Sequence, residues 1–156
     1  AFLYGAGAAK IGSIVGVNKH QGQELIDRFL HNMPALNRIR KQVLKAAEGG
    51  RIKGMDGRTL MIRSPHAALN TLIQGAGATI CKDWLVNMIQ RINSTGVDAK
   101  LVASIHDEYQ FEVAKKDLQR FGTITREAIK DTERNLNLRC PLDSTWQNGE
   151  TWAMTH

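Results

Sequence analysis

The sequence lacks the patterns that mark several classes of protein. It has only two cysteines, Cys81 and Cys140, which stand alone without paired metal-binding spacing and are typical of reduced intracellular thiols. No apolar run approaches the ~20 residues of a membrane span, and nothing resembles a signal peptide. Internal repeats and low-complexity tracts are also absent. What remains is typical of a globular protein, since 156 residues with 42% apolar side chains suit one domain or a large piece of one.

The positive charge is concentrated in the first two fifths of the chain. In total, 21 Lys and Arg against 15 Asp and Glu give a formal charge of +6. Residues 1–65 hold 11 basic and 4 acidic side chains, a net +7, whereas residues 66–156 hold 10 and 11, a net −1. This asymmetry favours a polyanion that contacts the first segment, although a solvated basic face explains the charge equally well.

Apolar periodicity and turn residues predict helices followed by a short hairpin in the first part of the chain. A glycine break at residues 5–7 separates the end of one helix from a short helix that ends near Gly16. Two basic helices follow, the first ending before Pro34 and the second at Gly49-Gly50. Asp56-Gly57 predicts a tight turn between two short strands. The apolar residues at helical spacing in these two helices are Leu25, Phe29, Leu30, Leu36, Ile39, Val43 and Leu44.

The second part of the chain is predicted to contain the longest helix, from about residue 66 to residue 94. Pro65 suits its first turn and Gly96 suits its end. Near residues 76–78 almost the whole circumference is small or apolar, which predicts deep packing. Two strands around a turn at residues 106–108 follow, then a last helix and an extended tail. The fold class is therefore α+β, with a long central helix and further helices packed on a small antiparallel sheet. The apolar stripe of the long helix is Leu69, Leu72, Ile73, Ala76, Ile80, Trp84, Leu85, Met88 and Ile92.

The segment His106-Asp107-Glu108 is a candidate metal site. Carboxylates are natural ligands for Mg²⁺, and a hairpin between apolar strands holds them on rigid backbone. Because side chains alternate along an extended chain, only one of Asp107 and Glu108 can face a given metal ion directly. A solvated polar turn is the alternative explanation for these residues taken alone.

A row of polar residues interrupts the apolar surface of the long helix. His66, Asn70 and Gln74 stand at i, i+4 and i+8 and so share one face. Such neutral groups suit the minor groove of a duplex, where every base pair offers an N3 or O2 acceptor, but a solvent-facing polar row is the alternative. Glycines beside Tyr4 allow a close approach to a partner without matching a phosphate-binding loop. His156, taken alone, is typical of a loose chain end.

Together these segments resemble family A DNA polymerases, the DNA polymerase I family. HDE between apolar strands is similar to the family's third palm motif, and RSPHAALNTLIQGAGATICKDW resembles the long palm helix before it, especially in bacteriophage replicative polymerases. FLYGAG resembles the end of a fingers motif, and IKGMDGR and WAMTH resemble the phage branch. The resemblance covers nearly the whole chain. It implies a fingers-derived, basic helical segment with a short hairpin over residues 1–65 and the C-terminal part of the palm over residues 66–156.

The resemblance implies roles for individual residues. Asp107 is similar to one of two catalytic aspartates that hold a pair of Mg²⁺ ions. His106 and Glu108 are similar to flanking residues that support the primer end and the metal site. His156 resembles a C-terminal histidine that reaches toward the active site. The residues implied to bind primer–template DNA are His66, Asn70, Gln74, Arg63 and, beside the nascent base pair, Tyr4.

The sequence also departs from the family pattern. The first palm motif with the other catalytic aspartate is absent, as are the fingers Arg and Lys that hold the incoming triphosphate, the thumb and the exonuclease domain. The sequence begins at Ala1 rather than at a methionine. We therefore expect a C-terminal piece of a longer polymerase, or one half of a split enzyme, that is active only with the N-terminal remainder.

The polymerase hypothesis implies Mg²⁺ as cofactor and primer–template DNA and dNTP as partners. It implies no membrane association and a cytoplasmic location, within an infected bacterial cell if the gene belongs to a phage. A non-catalytic module that holds primer–template DNA or docks on a polymerase would share the basic segment and the polar row. A small metal-dependent phosphodiesterase would use Asp107 and Glu108, but the sequence offers it no partner carboxylates.

Overall fold

The computed structural model describes residues 2–155, and these residues form an α+β fold, as predicted. The helices are α1 (Ala8–Val15), α2 (Lys19–Asn32), α3 (Pro34–Ala47), α4 (Ala68–Thr95) and α5 (Leu118–Asn135), and the strands are β1 (Arg51–Lys53), β2 (Thr59–Met61), β3 (Ala99–Ile105) and β4 (Glu108–Val113). Short 3-10 turns lie at Phe2–Tyr4, Pro65–Ala67, Lys115–Asp117 and Trp152–Met154. The strands form two separate antiparallel pairs, β1–β2 and β3–β4, instead of one sheet. The chain divides into two compact units between Ala76 and Gly77, within α4.

The first unit opens with two helices joined by a tight turn. α1 ends at Gly16, as predicted, and the φ of this glycine is 76°, in the left-handed region. The Asn18 side chain accepts a hydrogen bond from the Gln21 amide at 3.0 Å, and the Gln21 side chain accepts one from the Asn18 amide at 3.3 Å, which caps α2. The two helices come very close at Gly22, where an added Cβ would lie 2.2 Å from the carbonyl oxygen of Ala8.

Of the apolar residues that stand at helical spacing in α2, Leu30 alone belongs to its buried face. Gly22, Ile26 and Leu30 are buried, whereas Leu25 and Phe29 are 37% and 40% exposed. The buried row stands at i, i+4 and i+8 and begins at the glycine that lets the backbone of α1 approach. Helical spacing identifies Leu25 and Phe29 as apolar positions of α2, but the close glycine contact with α1 determines which face of the helix is buried.

The hairpin of the first unit forms at the predicted position. α2 ends before Pro34, and this proline begins α3. β1 and β2 are antiparallel, and the Asp56 side chain accepts a hydrogen bond from the Arg58 amide at 3.1 Å across the turn that contains Gly57. The residues of the core are Val43, Ala47, Ile52 and Ala68, with Leu60, Ile62 and Leu72 packed against them.

The second unit packs the end of α4 and helix α5 with the β3–β4 hairpin. β3 and β4 pair from Ala99 with Val113 to Ile105 with Glu108, and Val102 is the extra residue of a bulge. The core residues are Ile92, Val97, Phe121 and Ile124, with Ile89, Ala99, Phe111 and Val113 packed against them. The α+β prediction is thus confirmed in the part of the chain that carries the HDE segment.

The middle of α4 is less buried than predicted. Ala68 and Leu69 at one end and Met88 and Ile92 at the other are buried, whereas Gly77–Ala78 are exposed. An apolar circumference allows packing on several sides, but a residue is buried only where another segment covers it, and among the described residues none covers Gly77–Ala78. The prediction of deep packing in the middle of the helix is wrong for this chain.

The tail after α5 lies along that helix. The Leu142 amide donates a 2.8 Å hydrogen bond to the Glu133 carboxylate, and the Lys130 ammonium group donates to the Leu142 carbonyl oxygen. Farther along, the Trp146 indole packs so closely on Gly122 that an added Cβ would lie 2.2 Å from the ring. These contacts explain how a segment without regular secondary structure is ordered.

An ion pair joins α4 to α5 and makes stability depend on pH. Arg91 Nε donates to Asp131 Oδ2 at 2.6 Å, and this bond, opposed by burial and helped by Arg134, holds the pKa of Asp131 below its ordinary value. Because the folded-state pKa is lowered, the charged carboxylate stabilises the folded state at pH values above the unfolded pKa of ~3.9. This stabilisation is lost as the pH falls through the folded-state pKa.

We expect Asp131→Asn to lower the free energy of unfolding by about 1 kcal/mol at pH 7 and by much less at pH 2.

Urea unfolding at pH 7 and pH 2 measures this difference. Glu112→Gln, which neutralises an exposed carboxylate on β4, is the matched control and should change stability little at either pH. Equal losses for Asp131→Asn at both pH values would contradict the assignment of the stabilisation to the charged pair.

Candidate functional site

Asp107 lies at the tip of the β3–β4 hairpin. Ile105 and Glu108 are the last paired residues, so His106 and Asp107 form a two-residue loop, and both are exposed. His106 has a φ of 55°, which lies in the left-handed region that non-glycine residues seldom occupy. The turn was predicted to include Glu108, but this residue begins β4. The tight loop therefore presents one carboxylate, that of Asp107, to solvent.

Glu108 has a different environment from its neighbour. It is half-buried, and its carboxylate accepts a hydrogen bond from the side-chain amide of Gln110, two residues further along β4. Residues two apart lie on the same face of a strand, which explains the contact. The difference in exposure between Asp107 and Glu108 agrees with the expectation that the two side chains point in different directions.

Three residues that sequence reasoning missed attach the hairpin to α4. The Tyr109 hydroxyl donates a hydrogen bond to the Cys81 carbonyl oxygen at 2.7 Å, and the Tyr109 and Trp84 rings meet edge to face with centroids 5.3 Å apart. Burial first, and the charge of Asp107 second, raise the pKa of the Cys81 thiol. Burial first, and the charge of the Cys81 thiolate second, raise the pKa of Tyr109 against the opposing effect of a hydrogen bond with the Ser104 side chain. Burial beside α4 thus favours the neutral forms of the Cys81 thiol and the Tyr109 phenol, and the negative charge of Asp107 adds to this effect at Cys81.

The predicted polar row begins outside the α-helix. Asn70 and Gln74 lie in the first turns of α4, whereas His66 belongs to the preceding 3-10 turn. His66 and Gln74 are exposed. The Asn70 side-chain oxygen is buried and, among residues 2–155, finds no hydrogen-bond partner. Since a buried acceptor without a partner costs ~1–3 kcal/mol, Asn70 is suited to accept a hydrogen bond from a bound ligand.

The first unit also contains Tyr4 and Arg63. Tyr4 ends a 3-10 turn and is 59% exposed. The next residue, Gly5, has a φ of 89°, in the left-handed region. A Cβ added at Gly5 would lie 3.8 Å from the carbonyl oxygen of His66. Arg63 is exposed between β2 and the turn before α4. The main chain at Gly5, next to Tyr4, therefore lies near the main chain of His66, although the two are far apart in sequence. His156 lies outside the described residues.

The chemistry of the site follows from these placements. Within residues 2–155, no three His, Cys, Asp or Glu side chains are grouped so as to hold a metal ion. The carboxylate oxygens of Asp107 and Glu108 are the kind of ligand that Mg²⁺ prefers. Because Asp107 is exposed, its carboxylate is accessible to a metal ion. No helix in the described part of the chain is long and apolar enough to cross a membrane.

Comparison with known proteins gives the family. Residues 1–154 match the model of DNA polymerase family A. The DNA-directed DNA polymerase of Escherichia phage T7 is 37% identical over 177 residues, covering 99% of this chain and 25% of the relative. DNA polymerase I of Aquifex aeolicus is 28% identical, covering 93% and 26%. The chain therefore spans about a quarter of the length of these relatives.

A solved structure shows the same fold. The POL domain of Pol1 from M. smegmatis, in complex with DNA primer-template and dNTP, superimposes with a TM-score of 0.75 at 22% identity, covering 84% of this chain and 25% of that one. Because the family model covers nearly every residue and the phage relatives exceed a third identity over the whole chain, the chain belongs to DNA polymerase family A.

Proposed function

We propose that this chain is the C-terminal part of a DNA-directed DNA polymerase. The reaction is attack of a primer 3′-hydroxyl on the α-phosphate of a dNTP, with release of pyrophosphate. The observation that carries the proposal is the exposed Asp107 carboxylate at the tip of the β3–β4 hairpin in a chain that belongs to family A. Activity requires the first palm motif, which supplies the second aspartate from outside this chain.

Asp107 would hold the metal ions, and its neighbours would support it. Two bound Mg²⁺ ions supply charge stabilisation for the attacking and leaving oxygens of the phosphoryl transfer. Asp107 contributes an exposed carboxylate on a short loop, which limits its movement. The bond from Gln110 to the Glu108 carboxylate restrains the second acidic side chain beside it. His106 is exposed in the same loop, where the family resemblance assigns support of the primer end.

The first unit would hold the primer–template duplex. Residues 1–65 carry a net charge of +7, which suits contacts with phosphates. The partnerless Asn70 oxygen supports a contact in the minor groove, where guanine N2 is a hydrogen-bond donor. Gln74, His66 and Arg63 are exposed at or near the start of α4 and are proposed as further DNA contacts, with Tyr4 beside the nascent base pair.

The organisation of the chain is part of the proposal. Residues 1–65 would be the basic, fingers-derived segment, and residues 66–156 the C-terminal part of the palm, with His156 reaching toward the active site. The partners would be primer–template DNA, dNTP and the N-terminal remainder of the polymerase. The phage relatives support a place of action in the cytoplasm of an infected bacterium.

A primer-extension assay tests the proposed function. The chain is produced in frame with the remainder of the polymerase, or mixed with a fragment that carries the first palm motif, and given primer–template DNA, the four dNTPs and Mg²⁺. Extension that follows the template and stops without Mg²⁺ is the expected result. Salt-sensitive duplex binding without extension would instead favour the non-catalytic alternative, for which the +7 charge and Asn70 would be sufficient.

A further inference from the structure

A continuous set of contacts connects the Asp107 loop to both helices of the second unit. Tyr109 lies two residues after Asp107, and its hydroxyl donates to the Cys81 carbonyl of α4 at 2.7 Å. Its ring meets the edge of Trp84, with centroids 5.3 Å apart. The Trp84 indole N–H donates to the Thr125 carbonyl of α5 at 3.0 Å. One aromatic side chain on β4 therefore ties the hairpin tip to two packed helices.

The rest of the hairpin offers the tip less support. β3 and β4 form a sheet of only two strands, and β3 presents Leu101 and Val102 that are 40% and 67% exposed. A two-stranded hairpin is marginally stable by itself, so packing on a helix determines where its tip lies. The next ring contact along β4, from Phe111 to Phe121, lies farther from the loop. Tyr109 is thus the aromatic contact nearest to Asp107.

The bond from Tyr109 to Cys81 is not needed to complete α4. The Cys81 carbonyl lies inside α4, where a carbonyl oxygen already accepts a hydrogen bond from a main-chain amide of the helix. Its second lone pair accepts the hydrogen bond from the Tyr109 hydroxyl. The hydrogen bond therefore acts on the tyrosine, whose hydroxyl it satisfies and whose ring it fixes in place. Because the hydroxyl is partly buried, no water readily replaces the carbonyl as its partner.

We propose that Tyr109 is a positioning residue that fixes the Asp107 loop on α4 for nucleotidyl transfer. The inference rests on the proposed function, because the place of the Asp107 carboxylate matters only if it binds the metal ions. A metal ligand must be held within ~0.5 Å of its productive position, and partners that orient such ligands typically contribute ~10–100-fold in metal affinity or activity. Tyr109 provides this restraint through its hydrogen bond to the Cys81 carbonyl and its ring contact with Trp84, and the Ser104 side chain on β3 also hydrogen-bonds to it.

Tyr109→Phe tests the inference in the complete polymerase that contains this chain. The substitution removes the hydroxyl and keeps the ring against Trp84. We expect kcat for primer extension to fall about 10-fold and the Mg²⁺ concentration for half-maximal rate to rise several-fold. The KM for dNTP and the Kd for primer–template should stay within about 2-fold, since Tyr109 contacts neither in this proposal.

Phe111→Leu is the matched control on the same strand. It weakens the contact with Phe121 and lowers the melting temperature, but leaves the bond from Tyr109 to Cys81 in place, so the Mg²⁺ dependence should not move. If Phe111→Leu shifts the Mg²⁺ midpoint as much as Tyr109→Phe, the effect is general destabilisation and the inference is overturned.

Asp107→Ala separates failure of the inference from failure of the proposed function. If the parent polymerase does not extend primers, the proposed function fails, and if Asp107→Ala extends them as well as the parent, Asp107 is not the metal ligand that the positioning role requires. If it is inactive while Tyr109→Phe keeps the parent's kcat and Mg²⁺ midpoint, only the positioning role of Tyr109 is wrong.

Discussion

Asp107→Ala in the complete polymerase is expected to reduce primer extension about 1000-fold while duplex binding changes little. The reason is that the exposed Asp107 carboxylate would hold the metal ions that stabilise the charge developing in the transition state. Such stabilisation is worth several kcal/mol, and ~4 kcal/mol corresponds to about three powers of ten in rate. DNA binding depends chiefly on phosphate contacts elsewhere, so it should survive the substitution.

Single-turnover extension measures the rate, and fluorescence anisotropy of a labelled primer–template measures binding. Asp107→Asn keeps the size of the side chain and removes its charge, so it should resemble Asp107→Ala if charge is what matters. Glu112→Gln neutralises an exposed carboxylate on the same hairpin and should extend primers like the parent. Undiminished extension by Asp107→Ala would rule out Asp107 as a metal ligand.

Gly22→Ala is expected to destabilise the chain by about 2 kcal/mol, opposite to the usual effect of this substitution in a helix. Alanine normally stabilises a helix interior by ~1 kcal/mol relative to glycine. Here the new Cβ would lie 2.2 Å from the Ala8 carbonyl oxygen and 2.9 Å from the Gly12 nitrogen. Both are main-chain atoms, so α1 and α2 must separate, and overpacking of this kind costs ~1–3 kcal/mol or more.

Gly77→Ala provides the control of opposite sign. Gly77 lies inside α4, and an added Cβ there would have no heavy atom within 4 Å. We expect this substitution to stabilise the chain by about 0.5–1 kcal/mol. Urea unfolding followed by circular dichroism compares the two variants. A Gly22→Ala chain as stable as the parent would show that α1 and α2 do not require glycine at their contact.

Several elements follow directly from local sequence. Gly16 and Gly96 end helices with φ of 76° and 67°, and Pro34 begins one, because backbone conformation at glycine and proline is set by the residue itself. The turn at Asp56-Gly57 is likewise local. The predicted loop that carries Asp107 forms because apolar strands flank it on both sides.

Burial was predicted less well because it depends on segments distant in sequence. Leu25 and Phe29 have the periodicity of a core face, yet α2 turns its Gly22 face inward because α1 can approach there. The middle of α4 is apolar enough to be enclosed, yet Ala78 is exposed because a stripe does not supply its own neighbours. Periodicity identifies surfaces that tolerate burial, and the available neighbours select among them.

The sequence alone determined the class of fold, the order of the elements, the segregation of positive charge into residues 1–65 and the position of Asp107 between two strands. These properties are encoded locally, in residue type and spacing. The attachment of the Asp107 loop through Tyr109 to Cys81 and the partnerless oxygen of Asn70 became visible only in three dimensions. Both depend on where one element meets another, and no local pattern specifies the partner of a side chain 28 positions away in the sequence.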